Sequence, residues 1–405
     1  MDATEIPAAR PMRRFLLVAS LMLVAFNMRP AMSSLGPVLP EAMRDTGLDA
    51  GSAGLLTTVP VLCLGVFGLA APSFGRRLGP DATMVAFMLL LGVGIAIRIF
   101  GTEPALVLGC ALGGVGIGVV NVIAPGVVKR EFPDQAAAMM GVYTMVLCIG
   151  AAAAAGATAP MAHAFGGDWA KALAVWAIPA VLSALAWASQ LGGGKAAPAE
   201  AGPKGPGLWR SALAWQVTLF LGLAAALAYS IFAWLAPMLR DRGLSAVDAG
   251  FVVSEAVLLQ APAALAAPVI AGRRPDQRLA TVVAVLFSVA GFAGCLFGPL
   301  SMVWAWAVVL AIGQGATFAL ALTLIVLRAP DAATAGRLSA MSQGVGYTIG
   351  AAGPLLMGLF RDWSGGWTVP GMLFFAIAAG TALSGWGAGA PRTVSPPPAP
   401  EPAAA

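Results

Sequence analysis

Long apolar stretches separated by short polar loops run through almost the whole chain. A helix needs about 20 mainly apolar residues to cross the hydrocarbon core of a bilayer, and each stretch is close to or above that length. The pattern predicts twelve membrane-spanning helices, at 15–39, 51–73, 81–100, 105–128, 136–160, 170–191, 209–238, 248–271, 279–298, 303–327, 338–360 and 369–390. The predicted fold class is therefore an all-α integral membrane protein.

The composition supports lipid as the solvent for most of the chain. Of the 405 residues, 59% are hydrophobic and only 10% are charged. Soluble domains carry about a quarter charged residues, because water must solvate their surface. The first stretch follows Arg13-Arg14 and could alternatively be a cleaved signal peptide. Because eleven further stretches follow it, we interpret it as the first membrane helix.

Few residues could support metal, redox or hydrolytic chemistry. The four cysteines lie inside apolar runs without CxxC spacing, and the single histidine, His163, lies in a predicted outer loop with no nucleophile at a suggestive spacing. The glycine run Gly113–Gly118 is inside an apolar stretch with no strand before it, so it does not predict a dinucleotide-binding loop. We therefore expect no enzyme, no cofactor and no metal.

The basic residues are distributed unevenly over the loops. With the N-terminus in the cytoplasm, 16 of the 23 Lys and Arg residues fall on the cytoplasmic side and 5 on the outer side. The five outer residues are Arg44, Lys171, Arg240, Arg242 and Arg361. Because short basic loops stay in the cytoplasm, this predicts a multi-pass protein of the cell inner membrane with both termini cytoplasmic. The net charge of +5 is then a topology signal, and no nucleic-acid partner is expected.

The two halves of the chain resemble each other in sequence. Residues 43–48 (MRDTGL) match residues 239–244 (LRDRGL) at an offset of 196. Further matches keep nearly the same offset, and the last pairs 149–152 with 349–352 at 200. A slowly drifting offset over several matches indicates a duplicated bundle of six plus six helices.

This duplication predicts the domain organisation. We expect an N-terminal six-helix half at 1–191 and a C-terminal six-helix half at 209–390. The Gly- and Pro-rich residues 192–208 predict a cytoplasmic linker. The Pro- and Ala-rich residues 391–405 predict a disordered cytoplasmic tail.

Two parallel repeats of six helices are the layout of major facilitator transporters, in which the halves rock about a central site. The first predicted helix contains Asn27-Met28-Arg29-Pro30, followed by Ser34-Leu35-Gly36-Pro37-Val38-Leu39-Pro40. This pattern resembles the cyanate permease and 2-nitroimidazole transporter branch of the major facilitator superfamily. Similar segments occur in both halves, at Gly113–Gly118, Pro125–Arg130, Ala233–Pro237 and Gln343–Tyr347. The resemblance implies a major facilitator fold and a small anionic or small polar substrate.

Arg29 is the most informative candidate for substrate binding. It lies about halfway along the first predicted span, where an arginine costs at least about 2.5–3.5 kcal/mol. Pro30 and the later prolines predict a kink beside the charge, and Ser33 lies four positions on, on the same helix face. The functional interpretation is a guanidinium that binds an anion, with Ser33 offering a hydroxyl to the same ligand. The alternative is a structural arginine bonded to backbone carbonyls at the kink.

Two further charged residues lie inside predicted spans. Arg98 is near the outer end of the third span, where it either extends to the interface, pairs structurally or supports the site. Glu255 is the one carboxylate inside a span, about 10 Å from the outer end of the eighth. It is a candidate for proton coupling or for pairing with Arg29 in the empty site, and the alternative is a residue facing a hydrated vestibule.

Neutral polar and aromatic residues complete the candidate site. The resemblance implies that spans four, five and eleven line the cavity, so we expect polar residues there to orient substrate, with Trp234 as an additional aromatic candidate. The candidates are Asn121, Tyr143, Trp234, Gln343 and Tyr347, and Tyr229, Gln260 and Gln314 are further polar residues inside spans. The alternative for each is an interhelical hydrogen bond, worth about 0.6 kcal/mol on average in membranes.

These features leave three functional hypotheses. The first is a monomeric secondary active transporter of a small cyanate-like or carboxylate-like anion, driven by protons as symporter or antiporter or by the substrate gradient. The second is an exporter of small neutral or weakly basic compounds such as nitroimidazoles, with Glu255 as the proton-linked group. The third is a transporter-like sensor or structural membrane protein.

Overall fold

The computed structural model describes residues 9–132, 135–189 and 208–394; at 9–13, 136–138 and 332–333 it describes the backbone only. Within these ranges the chain is helical and contains no strand. The helices are α1 (Ala9–Asn27), α2 (Pro30–Ser33), α3 (Leu35–Thr46), α4 (Ala50–Leu78), α5 (Pro80–Ile97), α6 (Glu103–Glu131), α7 (Ala136–Ala164), α8 (Trp169–Val175), α9 (Ala177–Ala188), α10 (Ala212–Asp241), α11 (Ala246–Leu258), α12 (Gln260–Ala271), α13 (Arg278–Phe297), α14 (Val303–Leu327), α15 (Ala332–Gly350), α16 (Ala352–Ser364) and α17 (Thr368–Ala388).

The helices follow the predicted spans closely, and α14 covers the predicted residues 303–327. Four spans are broken into consecutive helices: the first (α1–α3), the sixth (α8 and α9), the eighth (α11 and α12) and the eleventh (α15 and α16). Eleven helical segments in the described part of the chain are long and apolar enough to cross a membrane. The predicted span 338–360 forms α15 and α16 but is not among them, because Gly, Ser, Thr and Gln lower its apolarity.

Side chains that cap the first turn define where several helices begin. Asp49, Ser211 and Ser245 each accept a hydrogen bond from the backbone N–H three residues later, at 2.6, 3.3 and 3.0 Å. The bond from the Ser52 N–H also lowers the pKa of the Asp49 carboxyl below its usual range. At the other end, Gly47 follows α3 with φ of +74°, a conformation that side chains with a Cβ rarely adopt.

The two six-helix halves share contacts as well as sequence. In the N-terminal half, the indole of Trp169 donates a hydrogen bond to Asp45 at 2.9 Å. In the C-terminal half, Trp367 donates to Asp241 at 2.8 Å. Each contact joins the end of a half's first span to the start of its sixth, so the duplication inferred from sequence is visible in the packing. We call the side of the bundle that holds these contacts the distal side, and the side where α9 ends and α10 begins the linker side.

Glycines let helices of one half pack closely. A Cβ on Gly114 of α6 would lie 2.5 Å from the Cα of Pro60 on α4, and one on Gly118 would lie 2.9 Å from the Cα of Leu64. Distances under 3.0 Å are too short for a Cβ, so only glycine permits this approach. The glycine run in α6 therefore serves helix contact, as expected for small residues spaced four apart.

The segment after α17 is attached to the C-terminal half. Arg328 donates to the carbonyl of Ala388 at 2.7 Å, and its own carbonyl accepts a hydrogen bond from Val394 at 2.8 Å. Val394, within the predicted disordered tail, is buried beside the end of α14, whereas residues 391–393 are exposed. The backbone hydrogen bond and burial of an apolar side chain explain why this part is ordered. The rest of the predicted tail, 395–405, and the linker residues 192–207 lie outside the described residues.

Candidate functional site

The first span is broken at Arg29, as the prolines predict. α1 ends at Asn27, α2 begins at Pro30, and Arg29 has φ −120° and ψ −27° between them. Proline lacks an N–H and cannot continue the hydrogen-bond ladder of α1. The Asn27 amide pins the break to α9 by donating to Ser183 Oγ at 2.7 Å and to the Pro179 carbonyl at 3.1 Å. The break is therefore held by the side chain just before it.

The Arg29 guanidinium has no counter-ion in the described part of the chain. It is half-buried and makes no hydrogen bond or ion pair with any described residue. Its Cζ lies 5.8 Å from the centroid of the Phe232 ring, which belongs to α10 of the other half. A cation over an aromatic face is stabilised by about 0.5–2 kcal/mol, but the ring carries no negative charge. The positive charge of Arg29 therefore remains available to an anionic ligand.

The three tyrosines of the chain lie on helices near this guanidinium. Tyr143 and Cys148 on α7, Tyr229 on α10 and Tyr347 on α15 are all within electrostatic range of the Arg29 charge. The three tyrosines are buried, and the Tyr143 hydroxyl has no hydrogen-bond partner among the described residues. The structure thus brings the predicted residues Arg29, Tyr143 and Tyr347 together, with α7 from one half and α10 and α15 from the other.

Arg98 is directed into the N-terminal half. Its side chain is 1% exposed, so it does not extend to the interface. Nη1 donates to the carbonyl of Ala31 at 2.7 Å, and Nη2 contacts Cys110 Sγ at 3.4 Å. Ala31 lies two residues after Arg29, in α2. Of the alternatives drawn from sequence, the contacts are those of structural pairing, beside the residue that carries the free charge.

Ser33 and Ser34 differ in what their hydroxyl groups contact. Ser33 donates to the backbone carbonyl of Arg29 at 3.2 Å and so closes the turn of the break. The neighbouring Ser34 hydroxyl is buried without a partner among the described residues. Of these two, Ser34 is thus the residue with an unused hydroxyl, and nothing in the sequence distinguishes the two.

No described contact joins the other predicted residues to Arg29. Trp234 is buried and its indole donates to the carbonyl of Pro354 at 2.8 Å, so its polar group is already satisfied by α16. Gln343 donates to Ser339 one turn away at 2.8 Å. Asn121 is half-buried and no described contact links it to Arg29. Near Arg29 are instead Phe232 and Cys148, which the sequence analysis did not name, and Tyr229, which it named only as a further polar residue inside a span.

Glu255 is not joined to Arg29. No described ion pair or electrostatic interaction connects the two, so the structure does not support the predicted pairing in the empty site. The Oε2 atom of Glu255 is buried without a hydrogen-bond partner among the described residues. An apolar run has no polar face that shows how the helix is rotated. The sequence therefore could not tell whether Glu255 on α11 faces Arg29 or another helix.

Comparison with known proteins decides the family. The sequence model of the Major Facilitator Superfamily matches residues 21–354, which span both halves. The chain belongs to this superfamily. It is 34% identical to the 2-nitroimidazole transporter of Escherichia coli (strain K12) over 384 residues, covering 94% of this chain and 97% of that protein. It is 32% identical to the cyanate transport protein CynX of the same organism over 346 residues, covering 85% and 90%.

The fold comparison agrees with this assignment. A bacterial homologue of the human lysosomal transporter Spinster, crystallised in an inward-facing and occupied conformation, superposes with a TM-score of 0.70 at 16% identity. The match covers 93% of each chain. This major facilitator protein is therefore a multi-pass membrane transporter, not an enzyme, as the sequence analysis expected, and it lies in the branch that the first-helix motif indicated.

The halves of this transporter are joined on the distal side. Arg240 of α10 forms two hydrogen bonds to the Glu41 carboxylate of α3, both at 2.6 Å. The Asp362 carboxylate of α16 accepts from the backbone N–H of Ala50 at 2.9 Å and from that of Gly51, at the start of α4. The positive end of the α4 dipole favours this carboxylate. Arg240 also donates to the carbonyl of Pro37 at 3.2 Å, and Thr58 of α4 donates to the carbonyl of Ala351 at 2.9 Å, so these bonds join the halves as well.

Proposed function

We propose that this protein is a secondary active transporter that moves a small anion across the cell inner membrane, with Arg29 as the residue that binds the anion. The substrate is cyanate-like or carboxylate-like, and the protein acts as a monomer. The carrying observation is the Arg29 guanidinium, which lies at a helix break near the middle of the spans with no counter-ion among the described residues. A buried cation without a partner is stabilised when an anion enters, because the pair costs less than the isolated charge.

The surroundings of Arg29 support binding between the two halves. Tyr143 comes from the N-terminal half, and Tyr229 and Tyr347 come from the C-terminal half. An anion on Arg29 can accept hydrogen bonds from hydroxyls of either half, so it favours a state in which both halves contact it. Arg98 supports the site by holding the Ala31 carbonyl and with it the backbone that follows Arg29.

The distal contacts suggest how access to the site could alternate between the two sides. With both termini in the cytoplasm, the distal side faces outward, and the contacts of Arg240 and Asp362 close the outer path. The halves rock between this arrangement and one in which these contacts are broken and the linker side closes. The proposed cycle therefore alternates between the closed distal side described above and its opposite.

Glu255 is the candidate for proton coupling. One of its carboxylate oxygens is buried without a partner among the described residues, so its protonation state responds to local hydration. Because Glu255 does not pair with Arg29, coupling would act through movement of α11 and not through direct competition. The alternative function is export of neutral or weakly basic compounds such as nitroimidazoles, for which the name of one relative is the support.

Uptake by purified protein in liposomes tests the proposal. We expect saturable uptake of cyanate, formate or acetate above that of protein-free liposomes, measured with and without a pH gradient. Arg29→Ala and Arg29→Lys remove this uptake, because lysine lacks the planar fork that binds a carboxylate with two hydrogen bonds. Arg44→Ala is the matched control, since Arg44 is 74% exposed on the distal side of the same half.

The outcomes separate the hypotheses. Anion uptake that survives in Arg29→Ala contradicts the assignment of Arg29. Efflux of 2-nitroimidazole without anion uptake supports the neutral-compound exporter, and the absence of both supports a protein without transport activity. A pH gradient that drives uptake in the wild type but not in Glu255→Gln supports proton coupling at that residue.

A further inference from the structure

The linker-side ends of α10, α13 and α17 carry arginines without acidic partners. Arg278 begins α13, and its Cζ lies 5.4 Å from the centroid of the Trp386 ring on α17. No described residue accepts a hydrogen bond from the Arg278 guanidinium. Arg392 follows α17 and donates to the side-chain oxygen of Gln216 on α10 at 3.0 Å. Neither arginine forms an ion pair within the described residues, so two positive charges are left at this end of the C-terminal half.

Packing between the helix ends holds these arginines on one surface. The backbone N–H of Gln277 donates to the Gly389 carbonyl at 2.9 Å, which joins the start of α13 to the end of α17. A Cβ on Gly387 would lie 2.4 Å from the side-chain amide carbon of Gln216, so α10 reaches the same point. The Val394 N–H donates at 2.8 Å to the carbonyl of the residue after α14, which fixes the segment that carries Arg392.

The acidic residue beside this surface does not neutralise it. The Asp276 carboxylate accepts a hydrogen bond from the backbone N–H of Arg278 at 2.9 Å and forms no ion pair with either arginine. Arg210, shortly before α10 begins, is exposed and adds a further positive charge to the linker side of this helix. The surface is therefore cationic.

Exposed apolar stripes on α13 and α17 lead from this surface along the spans. On α13, Leu279 and Leu286 are 64% and 57% exposed. On α17, Leu383 and Met372 are 76% and 62% exposed. Residues seven or eleven apart share a helix face, and the two helices pack together through a pair of phenylalanine rings stacked at 3.9 Å. Trp386 lies at the linker-side end of the α17 stripe and is 50% exposed, as expected for a tryptophan at the level of the lipid headgroups.

A phospholipid with an anionic headgroup matches this combination of charge and apolar surface. Its phosphate oxygens accept hydrogen bonds from guanidinium groups, which present two parallel N–H donors. Its acyl chains cover the stripes of α13 and α17 while its headgroup stays level with Trp386. Inorganic phosphate makes only the first of these contacts, and the cationic choline of a zwitterionic lipid is repelled by the arginines. Basic surfaces between helices on the cytoplasmic side are known to hold anionic headgroups.

We infer that the linker-side ends of α10, α13 and α17 form a binding site for an anionic phospholipid, with Arg278 and Arg392 binding the headgroup phosphate. The bound lipid joins three helices of the C-terminal half at the side where this half meets the linker. The site needs neither Arg29 nor a transported substrate, so it goes beyond the proposed function and does not depend on it.

Native mass spectrometry of the detergent-purified protein tests the inference. The probes are phosphatidylglycerol and phosphatidylcholine with the same acyl chains, offered together at about 0.15 M ionic strength, where loose attraction between exposed charges is screened. Because each arginine near an anionic headgroup contributes about fivefold in affinity, we expect the wild type to prefer phosphatidylglycerol by about tenfold or more. Arg392→Gln lowers this preference about fivefold, and Arg278→Gln combined with Arg392→Gln removes it. Inorganic phosphate at millimolar concentration does not displace the lipid.

Matched variants separate this site from general surface charge. Arg273→Gln combined with Arg274→Gln removes two exposed arginines from the linker side of the same half and is expected to keep the preference. Arg392→Gln changes an exposed side chain after the last helix, so its result stands even if the Arg278 variant does not fold. Arg29→Ala is expected to bind phosphatidylglycerol as the wild type does.

Three results would overturn the inference. The first is equal binding of the two lipids by the wild type. The second is a preference that survives in Arg392→Gln and in the double variant, or that falls equally in the Arg273 and Arg274 control. The third is displacement of the lipid by inorganic phosphate, which would indicate a site for a free anion. None of these results bears on anion uptake through Arg29, which is measured separately.

Discussion

The first span of the N-terminal half and the first span of the C-terminal half are built differently. The N-terminal one is divided into α1, α2 and α3 around Arg29, whereas α10 is one continuous helix from Ala212 to Asp241. At the offset of 196 that relates these segments, the residue equivalent to Arg29 is Ala225. Ala225 is fully buried, and a Cβ on Gly350 of α15 would lie 3.0 Å from its methyl group. The same position therefore holds a free cation in one half and a tight helix contact in the other.

A second pair of equivalent positions in the two halves also differs in charge. Arg130 at the end of α6 pairs with Asp81 at 2.8 Å, near the start of α5. The equivalent residue in the other half, Arg328, bonds instead to the neutral Gln277 and to the Ala388 carbonyl. The contacts that set the helix layout are kept in both halves, while the charges differ. The duplicated scaffold thus tolerates changes of chemistry as long as the helix positions are preserved.

The largest effect is expected when α10 is given an arginine at the position equivalent to Arg29. Ala225→Arg places a charge in a packed helix contact without a break to receive it, at a cost of at least about 2.5–3.5 kcal/mol before any clash. We expect this variant not to accumulate as a monodisperse protein in fluorescence-detected size-exclusion chromatography. Arg29→Ala, by contrast, elutes like the wild type. An Ala225→Arg protein with a normal profile would show that α10 can accept a charge as the first span does.

The next effect concerns how the N-terminal half holds the break. Arg98→Leu removes the hydrogen bond to the Ala31 carbonyl, and a hydrogen bond from a charged group is worth about 1.5–3 kcal/mol. We expect the KM for anion uptake to rise about tenfold or more with a smaller change in kcat, because the position of Arg29 is affected. Arg98→Lys restores part of this loss. Cys110→Ala, which removes only the weaker contact of Arg98, is the control and is expected to change KM less than twofold.

A loss of kcat with an unchanged KM in Arg98→Leu would contradict this role, because it would point to the cycle and not to the site. Equal losses in Arg98→Leu and Cys110→Ala would indicate a general packing defect.

A moderate effect is expected where the two halves meet. Arg240→Gln breaks the ion pair with Glu41. The side chain of Arg240 is 21% exposed and that of Glu41 is 25% exposed. An ion pair with this exposure is worth about 1 kcal/mol, so the population open on the distal side rises about fivefold. Double electron–electron resonance between spin labels at Arg44 and Trp363, in a background without native cysteines, measures this as a longer distal distance. Arg361→Gln breaks a pair within one half and leaves the distance distribution unchanged.

The smallest effect is expected when the Asp–Trp hydrogen bond that occurs in each half is removed. Asp241 accepts hydrogen bonds from Trp367 and Arg361, at 2.8 and 2.9 Å, whereas Asp45 accepts from Trp169 and from its exposed neighbour Arg44. Both aspartates lie partly in water, so each contact contributes about 1 kcal/mol or less. We expect Asp241→Asn to lower the melting temperature by a few degrees and Asp45→Asn by about half as much, measured by differential scanning fluorimetry. A larger loss in Asp45→Asn would reverse the order of the two halves.

The sequence predicted the spans well and the site only in part, for a physical reason. The length and apolarity of a span depend on local composition, so even the broken first helix was expected from Pro30 beside Arg29. The direction of each side chain depends on helix rotation. Phe232 and Trp234 are two residues apart and therefore point about 200° apart, so one meets Arg29 and the other donates to α16. Nothing in an apolar run distinguishes the two.

By itself, the sequence determined the solvent, the number and order of the spans, the duplication and the family branch, because all of these depend on composition and on motifs that are continuous along the chain. It also indicated that Arg29 has a special role, since a charge inside a membrane span is costly whichever way the helix is rotated. Only the tertiary structure decided what surrounds that charge: three tyrosines and Phe232 from helices of both halves, with Arg98 on the backbone behind it. These residues are far apart in sequence, and their meeting depends on helix packing that no local pattern encodes.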